Sequence, residues 1–164
     1  MKILLKILAA IIVCLVVALL VLRFTGLPPH NRIPGLWLKG NLVTAPVTDW
    51  SFANNFETVE VQTNTWYGIP HSVTTNCVAY NGQLYLTSVY AAGLVYPHGR
   101  NWNTNIARDP HVRIKIGNNL YDRVLSYVTD PALHDSVLAA KRKKYPKQVI
   151  APDATVNEFH VLDN

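Results

Sequence analysis

The chain has 164 residues, a formal net charge of +5 and 49% hydrophobic residues, which leaves room for one membrane-crossing element and one compact domain of roughly 120 residues. Cys14 falls in an apolar run and Cys77 stands alone in a strand-like stretch, which excludes a disulfide within the domain. The six histidines never stand at i,i+4 or as a close pair with a cysteine, so the spacing that metal ligands need is absent.

Ile3 to Leu22 is apolar apart from Lys6, and about twenty such residues suffice to span a bilayer. Residues 1–23 therefore read as an N-terminal membrane anchor, a transmembrane helix in contact with lipid. A secretory signal peptide is the competing reading, because Lys2 and Lys6 precede the run. Against cleavage, the run is long for a signal core and Arg23-Phe24-Thr25-Gly26 offers no small-x-small site. Arg23, Arg32 and Lys39 on the far side leave the positive-inside count undecided. A short tail with two lysines ordinarily stays inside, which places the soluble part on the extracytoplasmic side.

Residues 24–40 carry Pro28, Pro29 and Pro34 with three glycines and read as a stiff linker. The remainder, 41–164, is mostly strand-like. Glu57 to Thr65 alternates, with Val59, Val61 and Thr63 on one face. Ser72 to Tyr80 and Gln83 to Val89 are rich in β-branched and aromatic residues and flank Asn81-Gly82, a strong hairpin signal. Asn101 to Arg108 is a short helix stopped by Asp109-Pro110, since a residue before proline avoids the helical region. His111 to Gly117 alternates again, and Asn118-Asn119 turns the chain into Leu120 to Thr129.

Asp130-Pro131 opens a second helix with an N-cap and a proline at its first position. Lys141-Arg142-Lys143-Lys144 ends that helix, where cations complement the dipole. An isolated basic cluster without interleaved aromatics does not make a nucleic-acid surface. Val156 to Leu162 is the last strand. Five or six strands with two short helices give a mainly β domain, a closed or partly open antiparallel barrel.

No nucleophile elbow, phosphate loop or dinucleotide fingerprint is present. The carboxylates Asp49, Glu57, Glu60, Asp109 and Asp122 show no pairing suited to acid–base work. If the chain is an enzyme, a bound cofactor does the chemistry.

The order of pieces over residues 57–145 resembles the split-barrel flavin and deazaflavin proteins, specifically the deazaflavin-dependent nitroreductase family related to pyridoxamine-phosphate oxidase. Gly68-Ile69-Pro70 leads into a strand, the Asn81-Gly82 hairpin follows, and then a Trp-x-x-Asn-hydrophobic-x-x-x-Pro segment (Trp102, Asn105, Ile106, Pro110) precedes an alternating strand. The resemblance implies a split β-barrel, FMN or a deazaflavin as cofactor, a homodimer, and an oxidoreductase acting on a small or lipophilic acceptor. The alternative is a non-catalytic split barrel that binds or assembles without cofactor.

Cofactor contacts fall in the matching segments on Ser88 and Tyr90 at a strand end, and on His98, Arg100, Trp102 and Asn105 in the loop and short helix. Arg100 is the phosphate partner expected of this set. Trp102 is read both as a core anchor and as a ligand contact, and Asn105 both as a backbone cap and as a ligand contact. The chain departs from the family at Thr65-Trp66-Tyr67, where an arginine and a serine are usual, and at Tyr90-Ala91, where a Ser-Lys pair is usual. Those departures leave haem or another flavin open as the cofactor.

Overall fold

The computed structural model describes residues 2–90 and 93–163, with only the backbone of Tyr90. The chain opens with helix α1 (Lys2–Thr25), 24 residues long and with no buried residue. Its mean hydropathy of 3.2 makes it long and apolar enough to cross a membrane. After it come β1 (Asn41–Leu42), a 3-10 helix (Ser51–Asn55), β2 (Thr58–Thr63), β3 (His71–Tyr80) and β4 (Gln83–Tyr90). Helix α2 (Asn101–Arg108), β5 (His111–Ile116), β6 (Asn119–Tyr127), α3 (Pro131–Lys144) and β7 (Thr155–Leu162) complete it.

Six strands close on themselves in the order β6-β5-β2-β3-β4-β7, with β7 returning to β6. All of these pairings are antiparallel, and closure removes the exposed edges that an open sheet would present. The short β1 adds in parallel to the start of β6, while β7 pairs with the end of β6. At the β3–β4 hairpin Asn81 and Gly82 have φ of 50° and 75°, the positive pair that a two-residue turn needs and that Asn-Gly adopts at low cost.

Alternation fills the barrel. Val59, Val61, Cys77, Leu84, Leu86, Ile114, Phe159 and Val161 form one buried cluster with Trp102 and Ile106 of α2. A second cluster, Val78, Tyr85, Val128 and Val137, seats α3 on the opposite face of β3 and β4. The Asp130 carboxylate accepts the Ala132 N–H at 3.0 Å and caps α3 as its sequence suggests.

The charged residues of β5 pair across strands: Arg113 with Asp122 at 2.7 Å and Lys115 with Glu60 at 3.5 Å. The basic run on α3 is not a uniformly solvated end. Lys141 is 1% exposed, and Lys144 Nζ donates to the carbonyls of Ala53 (3.1 Å) and Cys77 (2.8 Å).

Tyr145, just past α3, ties the helix to the barrel wall. Its hydroxyl lies 2.6 Å from Glu57 O and 2.8 Å from Cys77 O and accepts from the Cys77 N–H at 3.2 Å. Burial pushes its pKa up to about 12, so the phenol stays protonated. Tyr145→Phe is expected to cost about 1–2 kcal/mol, because a carbonyl loses its donor and a strand N–H its acceptor. In urea this appears as a lower midpoint at unchanged slope; an unchanged midpoint would show that the hydroxyl adds nothing.

Candidate functional site

The ring of strands is not paired along its whole length. β3 and β4 are hydrogen-bonded only where Asn76–Tyr80 faces Gln83–Thr87. Before Asn76, β3 follows β2; after Thr87, β4 follows β7. The two strands part there and leave a split. Side chains tie down some of the backbone acceptors that the parting leaves unpaired: Thr75 Oγ1 donates to Thr87 O at 2.5 Å, and Arg100 Nη2 to Val89 O at 2.9 Å.

A groove of about 520 Å³ occupies the split, within the size range of small-molecule sites. Its walls are Val73 to Asn76 of β3, Thr87 to Val89 of β4, Arg100 and Trp102 at the start of α2, and Asn31 to Pro34 from the segment after α1. Ser88 is buried, and its hydroxyl has no hydrogen-bond partner among the described residues. A buried hydroxyl ordinarily finds one. Trp102 is buried against Phe159, ring centroids 5.3 Å apart, so it is a core anchor whose edge also lines the groove.

Three of the six residues read from the sequence therefore meet: Ser88, Arg100 and Trp102. Asn105 does not line the groove; its amide donates to Thr63 Oγ1 at 2.9 Å and fastens α2 to β2. His98 is exposed on the loop before α2 and is also outside the groove wall. Tyr90 ends β4 opposite Thr155, and its side chain and Ala91 lie outside the described residues. In the Thr65-Trp66-Tyr67 turn, Thr65 Oγ1 bonds Ile69 O at 2.5 Å, and Trp66 is 81% exposed.

Sequence reasoning missed Arg32, Thr75 and Thr87. Arg32 is more than forty positions from Val73, the first groove residue of either strand, and no local pattern reports that approach.

Other grooves are weaker candidates. Two of about 300 and 310 Å³ adjoin Arg123, but that guanidinium already pairs with Asp163 at 3.1 Å and stacks over Trp50 and Tyr121. One of about 650 Å³ surrounds Lys144 and Tyr145, whose polar atoms are bonded to backbone.

No family model and no curated protein matches the sequence, but solved structures match the fold. A 5-nitroimidazole antibiotic resistance protein from Bacteroides thetaiotaomicron superposes with a TM-score of 0.51 at 16% identity, covering 80% of this chain and 89% of that one. This chain has the split-barrel fold. A conserved hypothetical protein from Mycobacterium tuberculosis superposes at 0.54 and 15% identity, covering 78% and 86%. The haem storage protein HutZ of Vibrio cholerae superposes at 0.51 and 16%, covering 69% and 85%. At these identities the likeness is one of fold, and the split barrel expected from Trp102, Asn105, Ile106 and Pro110 is the architecture observed.

Proposed function

We propose that this chain is a membrane-anchored oxidoreductase that holds FMN or a deazaflavin in the split of its barrel and reduces a small or lipophilic acceptor. One observation carries the reading: Arg32, Arg100 and Trp102 line one groove together with Ser88, whose buried hydroxyl has no partner among the described residues. These are the groups a phosphate-bearing, flat aromatic ligand needs, namely cations for the phosphate, a hydroxyl for a polar edge and an apolar wall for the ring.

When bound, such a cofactor supplies hydride transfer. The chain's own part is to bind and orient. Arg100, held by the start of α2, keeps one nitrogen on Val89 O and has donors left for an anion. Ser88 gives a hydrogen bond inside the split, and Trp102, braced by Phe159, supplies a rigid wall.

α1 then serves as the anchor, with residues 24–40 joining it to a domain spanning 41–164 on the extracytoplasmic side. The anchor would concentrate the groove beside lipid-soluble acceptors, and nitroaromatics are also worth testing given the nitroimidazole resistance protein of like fold.

The test is titration of the full chain in maltoside micelles with FMN and with a deazaflavin, followed by ligand fluorescence. Saturable binding is expected, with Arg100→Gln weakening FMN about tenfold or more, the scale of one lost charge-assisted hydrogen bond. Absence of binding by either cofactor would remove the proposal. Alkaline carbonate should leave the chain in the membrane fraction, and release by carbonate alone would refute the anchor.

A second reading, a non-catalytic split barrel, is favoured by the bonds that Arg100 and Asn105 already make within the chain. It predicts full folding without cofactor and no effect of Arg100→Gln beyond stability.

A further inference from the structure

The segment after α1 does not hang free. Gly26 N–H bonds Leu22 O at 2.8 Å and ends the helix, and at the very next residue Leu27 N–H bonds Trp37 O at 3.0 Å. Leu36 N–H returns to Leu27 O at 2.8 Å. The chain between is thus a closed hairpin joined to α1 without slack. Gly35 presses it onto the open edge of β3, exchanging backbone bonds with Ser72 at 2.8 and 2.9 Å. A Cβ at Gly35 would stand 2.3 Å from Leu27 O and 2.5 Å from Pro29 N, so only glycine allows this crossing. Leu38 is buried, and its N–H bonds Gln62 Oε1 at 2.7 Å on β2.

The tip of this hairpin is a tight turn. His30 and Ile33 exchange backbone bonds at 3.0 and 2.9 Å, and Asn31 takes a φ of 54°. Asn31, Arg32, Ile33 and Pro34 form one wall of the split groove. Arg32 makes no hydrogen bond or ion pair among the described residues, whereas Arg100, across the groove, gives one nitrogen to Val89 O. No carboxylate lines the groove among the described residues. Two guanidinium groups without an acid partner, one of them wholly uncommitted, suit an anion; a guanidinium fork matches phosphate and carboxylate alike, and phosphate is the anion that the cofactor reading supplies.

We infer that Arg32 on the membrane-proximal hairpin reads the phosphate of the groove's ligand, so that the segment joining α1 to the barrel is itself a wall of the binding site. The inference rests on the cofactor reading above and deepens it: the ligand is a phosphomonoester, and its phosphate lies at the hairpin side of the split. The same phosphate chemistry is offered by a lipid headgroup, and the arms of the test separate the two sources.

The affinities of the full chain for FMN and for riboflavin, which lacks only the phosphate, are measured in phospholipid-free maltoside micelles for the wild type, Arg32→Gln and Arg32→Lys. Wild type is expected to prefer FMN at least tenfold. Arg32→Gln should lose about tenfold for FMN, the scale of a charge-assisted bond, with riboflavin unchanged, and Arg32→Lys should recover part of the loss as a point charge. An equal loss for both ligands, or none, would overturn the role of Arg32 while leaving the cofactor reading intact. No binding of either ligand by the wild type would overturn the role of Arg32, and the cofactor reading falls with it only if a deazaflavin also fails to bind. In nanodiscs containing phosphatidylglycerol, FMN affinity should persist. Suppression of FMN binding there, relieved by Arg32→Gln, would assign the arginine to lipid phosphate and overturn the small-molecule source. Arg32→Gln alters one exposed tip residue, so an unchanged melting temperature is the expected control.

Discussion

Phe159→Ala is expected to destabilise the barrel by about 3–5 kcal/mol, the usual cost of emptying a large aromatic site in a packed core. Phe159 is fully buried and stands opposite Leu86 of β4 and Tyr127 of β6. It therefore sits on the strand that closes the ring. Its ring meets those of Trp102, Tyr96 and Tyr127 at centroid distances of 5.3, 5.6 and 5.8 Å, so the alanine side chain leaves three aromatic rings facing a void. A domain of this size has a total stability of about 5–15 kcal/mol, so the variant should melt many degrees below wild type when followed by circular dichroism of the full chain in micelles. Phe159→Leu refills part of the volume and should fold; because Phe159 braces Trp102, that variant is also expected to weaken FMN binding. A loss under about 1 kcal/mol for the alanine variant would show that β7 does not hold the closure.

The second large effect depends on pH and comes from Glu158, the neighbour of Phe159 on the other face of β7. Its carboxyl is fully buried beneath α3, with Oε2 accepting from Thr87 Oγ1 at 2.9 Å. Oε1 and the Lys141 ammonium, also buried, have no hydrogen-bond partner among the described residues. Burial pushes the Glu158 pKa up to about 7, and the Thr87 bond and the charges of Lys141 and His134 offset only part of that. Burial likewise holds Lys141 below the usual lysine range.

For an acid whose pKa is raised on folding, the stabilising contribution is complete below the unfolded value and is lost as pH rises through the folded one. Here the window runs from 4.5 to about 7, and the amount lost across it is on the order of 3 kcal/mol. His71 and His160, whose pKa values burial lowers, work in the opposite sense, so the readout is the difference between Glu158→Gln and wild type. The amide keeps an acceptor for Thr87 but cannot ionise. Relative to wild type, the variant should gain about 2–3 kcal/mol between pH 5 and pH 8, a shift in melting temperature on the order of 10 °C. A difference independent of pH would show that Glu158 ionises normally.

Much of the fold was legible locally. Alternating β-branched residues in Val59–Val61–Thr63 and Val112–Ile114–Ile116 mark one face of a strand because side chains alternate across the pleat. Asn81-Gly82 makes a hairpin because both residues tolerate positive φ, and Asp109-Pro110 and Asp130-Pro131 bound their helices through proline geometry and capping. The resemblance carried in part by Trp102, Asn105, Ile106 and Pro110 implied the split barrel that the structure has. The candidate site was legible only in part. Ser88, Arg100 and Trp102 come together because β4 and α2 are consecutive in the chain, while Asn105 turned toward Thr63 on β2, a residue 42 positions away.

Residues 27–38 show most clearly what only tertiary structure decides. Three prolines and three glycines in residues 24–40 describe a segment with little secondary structure of its own, and composition says nothing about what it lies against. Its place is set by the free edge of β3, whose Ser72 backbone groups take Gly35 as their partner. That edge exists only because β3 is unpaired with β4 before Asn76. Lys141 teaches the same lesson with a charge: nothing in the basic run sets it apart from its neighbours, and only the packing of α3 against the sheet buries it beside Glu158. Periodicity, turn chemistry and capping act over a few residues, so the sequence by itself determined the strands, the hairpin, the helix ends and the long apolar α1. Closure of β7 onto β6, the split, and the approach of Arg32 to Arg100 depend on contacts between distant parts of the chain, where hydrogen-bond demand and burial of the whole domain make the choice.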